Sequence, residues 1–484
     1  MKNLRWIGAA VLLMATPLFA GNLTEKSVDK ARAVLDRAMT AYGGTERVNG
    51  IKTIAVQFED TNFGVGQSRG TAKPWDKSYT KGQSFVDLEN NIFANRVYGD
   101  GGGFEFANGT VVNGDDSVQI NFRAESITPI AEPDFATTSG PFMRVTPVLL
   151  LRQFAEHSRT AHHLGIVDYN DRPHDVVSFS MTVGPAISLY VDEESGLINR
   201  SERVFPGFGL VEYHFSDYED VDGIPCHKNF ELRLNGDTNL IRKNLKVAFD
   251  ADAEPFLKTN AAFARNPANS PDTFQRQELA DGVWFIGGNG TYAMFVEMDD
   301  YILAVGGTAA VAASMSSLRE VTEKRIRYGV LTHQHSDHVL GVPTYVAEGA
   351  TVVASTAHEQ VVRDAAPEGS DLALELVGEK RVFDDGRRVE LIDVGPTAHT
   401  EHLLVAWLPD ERILFEADHF AMPRVGPIPP AVASTRSFSK ALASAKLKPA
   451  RIASAHSPVL GTPEDLERSV KTKSRGDKAP MIDF

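Results

Sequence analysis

Thr332-His333-Gln334-His335-Ser336-Asp337-His338 sets three imidazoles and a carboxylate in six consecutive positions. The β-prone run Ile326 to Leu331 leads into it, and Val339 to Val346 reads as a helix behind it. The cluster therefore stands where a strand stops and a helix begins, the usual place for chemistry in an α/β fold. Four such side chains are costly to bury unless something satisfies them. Neutral imidazole and carboxylate are the ordinary nitrogen and oxygen ligands of zinc, so a divalent metal is the expected partner.

The ligand types continue downstream at further strand ends. Val394-Gly395-Pro396-Thr397-Ala398-His399 closes one strand, Ile413-Leu414-Phe415-Glu416-Ala417-Asp418 a second, and Ile452-Ala453-Ser454-Ala455-His456 a third. Eight of the 14 histidines fall after residue 330, in less than a third of the chain, so one half of the molecule carries the site. Around these ends strands and helices alternate. Strands are expected at Arg327–Leu331, Thr351–Ala354, Val389–Val394, Leu403–Trp407, Arg412–Phe415 and Arg451–Ala455, and helices at Val311–Lys324, His358–Asp364 and Ser437–Ala445. Sheets edged by helices imply a layered sandwich.

Upstream the text changes. A chain of 484 residues is too long for one core, and two domains are expected. Val28, Ala31, Leu35, Ala38, Met39 and Tyr42 fall at helical spacing and Gly43-Gly44 stops that helix. A second helix is expected at Pro147–His157. Otherwise the run to about Phe249 is strand and turn, with Asn108-Gly109, Asn113-Gly114, Asp222-Gly223 and Asn235-Gly236 as turn signals. This reads as one large antiparallel sheet. Residues 251–273 carry Pro255, Pro267 and Pro271 and have the composition of a linker. The expected organisation is a β-rich domain over 21–250, a linker over 251–273, and a second domain over 274–484.

Residues 1–20 read as a secretory signal peptide: Lys2 and Arg5, the apolar run Trp6–Ala15, then Pro17-Leu18-Phe19-Ala20 before a cut. Periplasmic or secreted location follows as an expectation, with no membrane span after the signal. The formal charge of -15 argues against nucleic acid as a partner. The single Cys226 excludes an intramolecular disulfide and a cysteine-rich metal site.

The second domain, from Phe274 to the C-terminus, resembles the metallo-β-lactamase superfamily. His333-x-His335-x-Asp337-His338 is similar to its signature, and His399, Asp418 and His456 follow in its order. The resemblance implies an α+β two-domain chain whose C-terminal half is an αβ/βα sandwich with a dinuclear site between the sheet edges. It implies that His333, His335 and His399 hold one metal, that Asp337, His338 and His456 hold another, and that Asp418 bridges them. Zinc is the expected metal, with iron or manganese as alternatives. Two ions roughly 3.5–4 Å apart acidify a shared water, which Asp337 would orient against a carbonyl or phosphoryl group. Many members end an early strand with Asp-Thr-Gly; here Leu303-Ala304-Val305-Gly306-Gly307 carries no carboxylate, so ligand orientation must come from elsewhere. Aspartate rather than cysteine at the bridging position points away from a dedicated β-lactamase.

The N-terminal phrases Tyr190 to Ile198 and Tyr218 to Pro225 resemble the sheet repeats of periplasmic lipoprotein-carrier proteins. The expected function is an exported hydrolase of a small ester, thioester, lactone or amide. The alternative is a periplasmic carrier of an apolar ligand whose metal site is structural or vestigial. His402, His419 and Arg424 are candidate substrate contacts, the last in the Pro-rich run Met422 to Pro430.

Overall fold

The computed structural model describes residues 23–206, 209–476 and 478–484; the signal-peptide reading lies outside the described residues. The chain forms the expected α+β two-domain arrangement, a large antiparallel sheet followed by an αβ/βα sandwich.

The first helix, Leu23–Ala41, buries Ala31, Val34 and Ala38 along one stripe. It ends where Gly43 and Gly44 take φ of +93° and +92°. A 14-stranded sheet follows. Thirteen of its strands form two meanders, one running from Thr53 to Pro129 and the other from His162 to Phe249. They are joined where Thr53–Phe63 pairs antiparallel with Asp237–Phe249. Two-residue turns at Asp222-Gly223 and Asn235-Gly236 have both residues at positive φ, the twist that tight hairpins require. Between the meanders lie helices Phe135–Arg144 and Pro147–Glu156. The first is hard to read in sequence, because Gly140 and Pro141 interrupt its pattern. Both pack with the N-terminal helix on one sheet face, over a core that includes Val34, Leu150, Phe154, Phe179 and Leu189.

The other face of strands 53–127 is covered by chain from further on. Phe256 stacks on Phe85 at 4.6 Å. The C-terminal tail returns to the same face, where Gln83 exchanges two hydrogen bonds with the backbone of Ile482, at 2.6 and 2.7 Å. The proline-rich segment is accordingly no free tether. Residues 264–265 pair in parallel with Ser126-Ile127.

The second half contains a seven-stranded and a six-stranded sheet. Their facing sides bury Phe285, Met294, Leu303, Val330, Leu391, Phe415 and Ala453. Helices Ala310–Arg319, Val342–Ala347 and Glu359–Ala365 cover the outside of the first sheet, and Ala433–Ser444 and Pro463–Lys471 cover the second. Strands enclosed on both faces explain the nearly continuous apolar runs, such as Leu404–Leu408, fully buried along its length. Behind the His-rich motif the helix starts later than its sequence suggests. A 3-10 turn spans Ser336–His338, and the α-helix begins only at Val342 with Pro343 in its first turn.

Candidate metal centre

The strand ends of both sandwich sheets converge. Ile326–Val330 delivers His333, His335, Asp337 and His338 through the following loop. Arg388–Asp393 leads to His399, Ile413–Glu416 to Asp418, and Arg451–Ser454 to His456. Glu416 is fully buried and accepts the backbone N–H of His419 at 2.8 Å and of Phe420 at 3.2 Å, which fixes the turn carrying Asp418.

Two sets of donor atoms result. His333, His335, His399 and Asp418 bring one ligand atom each within 4.8 Å of one another, as do Asp337, His338 and His456. Asp418 stands between the sets. Its Oδ2 lies 3.1 Å from His333 Nε2 and 2.8 Å from His399 Nε2. Its Oδ1 lies 2.9 Å from His338 Nε2 and 2.8 Å from His456 Nε2. One carboxylate oxygen thus serves each histidine set, the geometry of a ligand shared by two cations.

The donors fit divalent ions. His335 Nδ1 is buried without a hydrogen bond, and the oxygens of Asp418 have histidine ring nitrogens of the same site crowded around them. Orphaned polar atoms of this kind are rare unless something fills them. Burial holds the His335 imidazole down at about 3 and His333 well below its ordinary value, so both rings are neutral, as ligands must be. Burial also pushes His338 and His456 down, but the carboxylates of Asp418 and Asp337 outweigh it and lift them to about 9 and about 10. In the absence of a metal, those protons supply the positive charge that two carboxylates at one site require.

The non-ligating ring nitrogens decide ligand orientation, and here the first domain enters. His399 Nδ1 is 2.6 Å from the carbonyl oxygen of Gly102, in the turn between strands Ile92–Gly101 and Phe104–Val112. His335 Nε2 is 3.0 Å from the carbonyl oxygen of Ser68, in the loop between Thr53–Phe63 and Lys77–Asp87. A neutral ring donating at that nitrogen leaves the other free for a metal. The same loop accepts the N–H of Ser336 on Gly66 O at 2.9 Å, and Gln67 Nε2 donates to Asp337 Oδ1 at 2.8 Å. Gln334 binds it from the other side. Its Nε2 donates to Ser68 O and Arg69 O at 2.8 and 2.9 Å, while its Oε1 accepts Thr400 Oγ1 at 2.8 Å. Orientation that a carboxylate near Gly306 would supply elsewhere comes in this chain from carbonyls of the β-sheet domain.

Gln334, Gln67, Ser68 and Gly102 were not singled out in the sequence. Backbone carbonyls leave no residue signature, although the run Gly101-Gly102-Gly103 hints at a tight turn approaching another backbone. Of the candidate substrate contacts, His402 lies outside both sets, its Nδ1 2.7 Å from Asp393. His419 is buried, 2.9 Å from Thr397 Oγ1, and borders the small cavity beside Asp418. Arg424 lines a cavity that includes His456, and its Nη2 donates to Pro271 O at 3.1 Å. Access is uneven: the His333 side chain is 0% exposed, Asp337 35% and His456 31%, so the second set faces the opening.

Residues 289–456 match the family model of the metallo-beta-lactamase superfamily. Among solved structures, the chain is similar to a metallo-beta-lactamase from Pontibacter korlensis at 18% identity, over 41% of this chain and 97% of that one, with a TM-score of 0.33. It is similar to one from Hirschia baltica at 19% identity, over 40% and 95% of the two chains, also with a TM-score of 0.33. No curated protein matches the sequence.

Proposed function

We propose that the protein, whose residues 289–456 match the metallo-beta-lactamase superfamily, is an exported, two-metal hydrolase of a small ester, thioester, lactone or amide. The observation that carries this reading is the division of Asp418, with one oxygen toward His333 and His399 and the other toward His338 and His456. His333, His335, His399 and Asp418 would hold one ion, and Asp337, His338, His456 and Asp418 the other.

Bound divalent ions would supply Lewis acidity toward the scissile group and make water acidic enough to ionise near neutral pH. The chain's residues do the rest. Ser68 O and Gly102 O fix the His335 and His399 rings. The Gln67 amide occupies one oxygen of Asp337, so the half-exposed carboxylate has a set direction. It can then accept a hydrogen bond from a water in the cleft and place it against the substrate. Asp418, buried between the histidine sets, holds them in register. The comparisons give no support to the carrier alternative.

Metal analysis of the purified protein is the first test, and less than about one tightly bound zinc, iron or manganese per chain would refute the reading. A screen over carboxyl esters, lactones, thioesters, phosphodiesters, sulfate esters and β-lactams, with a chelator control, is the second. His335→Ala and Asp418→Ala should each abolish the activity found; unchanged hydrolysis would overturn the catalytic assignment.

A further inference from the structure

The cleft that reaches His456 and Asp418 has one wall in the sandwich and the other in the first domain. A cavity of about 510 Å³ lies between strands Phe104–Val112, Val118–Asn121 and Ser126–Pro129 on one side and the Met422–Pro429 loop with His456 on the other. A second cavity, of about 230 Å³, reaches Asp418 and shares Asn108, Asn121 and Pro429 with the first. The two adjoin at those residues.

The sheet face along this cleft has an unusual composition. Register sets Thr110 opposite Gln119 and Gln119 opposite Thr128, with Asn108 opposite Asn121 in the adjoining row. Cross-strand neighbours of this kind stand about 5 Å apart. On the same face, Phe93 and Val112 belong to the apolar core further along. The face therefore changes from apolar to uncharged polar where it meets the cleft. Asn108 and Gln119 are exposed, and their amides have no partner among the described residues. Asn269, on the same cavity, leaves a buried amide oxygen without a hydrogen bond. Among the described residues no acidic side chain lines the larger cavity; of its basic residues, His456 belongs to the metal centre, and Arg424 donates to Pro271 O and lies 3.9 Å from Asp272.

We propose that this face of the N-terminal sheet is the specificity surface of the enzyme, and that Asn108, Gln119 and Asn121 bind the non-reacting part of the substrate. That part is uncharged and rich in hydroxyl or amide groups, as in a sugar or a peptide. Primary amides donate and accept at once, which suits hydroxyls and peptide groups. An acyl chain would leave this array desolvated and unpaired, and an anion or cation would meet no free opposite charge. The proposal rests on the hydrolase reading for the position of the reacting bond.

The test uses full-length, zinc-loaded protein and p-nitrophenyl esters that differ only beyond the scissile bond: hydroxyl-rich, amide-rich, hexanoyl and succinyl. The hydroxyl-rich or the amide-rich ester should exceed the hexanoyl and succinyl esters at least tenfold in kcat/KM, and which one leads identifies the source. In N108A/Q119A that preference should fall about tenfold through KM, the size expected for the loss of about 1.4 kcal/mol of polar contacts. A preference for hexanoyl or succinyl, or one that survives in N108A/Q119A with unchanged thermal stability, would overturn the proposal. Calorimetric titration of maltotriose and of triglycine amide reads the surface without turnover. Binding of either, weakened in N108A/Q119A, with no ester hydrolysed, would refute the hydrolase reading and leave the surface standing. Binding of neither would refute the surface.

Discussion

Gly103 offers a way to disturb metal binding from outside the metal-binding domain. Gly102 and Gly103 have φ of +58° and +85°, so a side chain at either costs roughly 1 kcal/mol of backbone strain. Their surroundings differ. A Cβ on Gly102 would stand 3.6 Å from His399 Nδ1, an ordinary contact. A Cβ on Gly103 would stand 2.9 Å from Ala398 O and 3.2 Å from His399 N, too close to the backbone of that peptide. Gly103→Ala must therefore push the turn off the 397–399 loop and lengthen the 2.6 Å contact between Gly102 O and His399 Nδ1. Losing such an outer contact weakens metal affinity about 10- to 100-fold, or about 1.4–2.7 kcal/mol. Gly102→Ala pays the backbone cost alone and serves as the control. Competition between each metal-free variant and a fluorescent zinc chelator reads affinity directly, and thermal unfolding of the same samples reads the shared strain. Equal zinc affinity in the two variants would refute the claim that the β-sheet domain orients His399.

Gln334→Ala removes three hydrogen bonds, two of them buried, so it should cost about 2–4 kcal/mol and lower zinc affinity; a melting temperature within a degree of the parent's would contradict this. Chelation should lower the melting temperature, because zinc at 100 times its Kd adds about 2.7 kcal/mol; an unchanged melting curve would count against a built metal site. Metal entry must displace the protons of His338 and His456, so apparent zinc affinity should rise with pH toward about 9 to 10. The raised pKa values also stabilise the metal-free fold below about 6.5, and that contribution should be lost as pH rises through about 9 to 10. In the first domain, burial lowers His227 to about 3, so the unfolded chain binds more protons between that value and about 6.5. Stability of the zinc-loaded protein should fall as pH drops through this window, and urea midpoints of His227→Gln should show a shallower slope; equal slopes would dismiss His227 as the source.

How much of this was legible beforehand follows from where the information resides. The sandwich was readable because its strands are enclosed on both faces and its donor residues sit at strand ends, so identity and spacing carry the reading. The antiparallel sheet was readable from turns such as Asn235-Gly236, where both residues need positive φ. The helix at Phe135–Arg144 was hidden because tertiary packing overrides an unfavourable Gly140-Pro141. The apparent linker has the composition of open chain, yet Phe256 is buried against Phe85. Contacts from Ser68 and Gly102 use backbone carbonyls, which every residue has, so no reading of side chains could single them out.

The strand end that precedes the motif is tightly packed. A Cβ on Gly307 would stand 1.8 Å from His338 O, and Gly307 O accepts the N–H of Gly341 at 2.7 Å. The strand end beneath the motif is closed by backbone packing, with no space there for a larger side chain. Tyr345 OH, donating to Gly306 O, seals the position beside it. Orientation of the ligands is instead delegated outward, to two turns that lie more than two hundred residues earlier in sequence. A site built this way cannot be cut from its partner domain without loss. The segment 274–484 expressed alone would keep all seven donors but lack the acceptors for His335 and His399. It should bind zinc at least tenfold more weakly than the full chain, by the same chelator competition. Equal affinity in a folded fragment would show that the sandwich orients its own ligands and that the contacts of Ser68 and Gly102 are incidental.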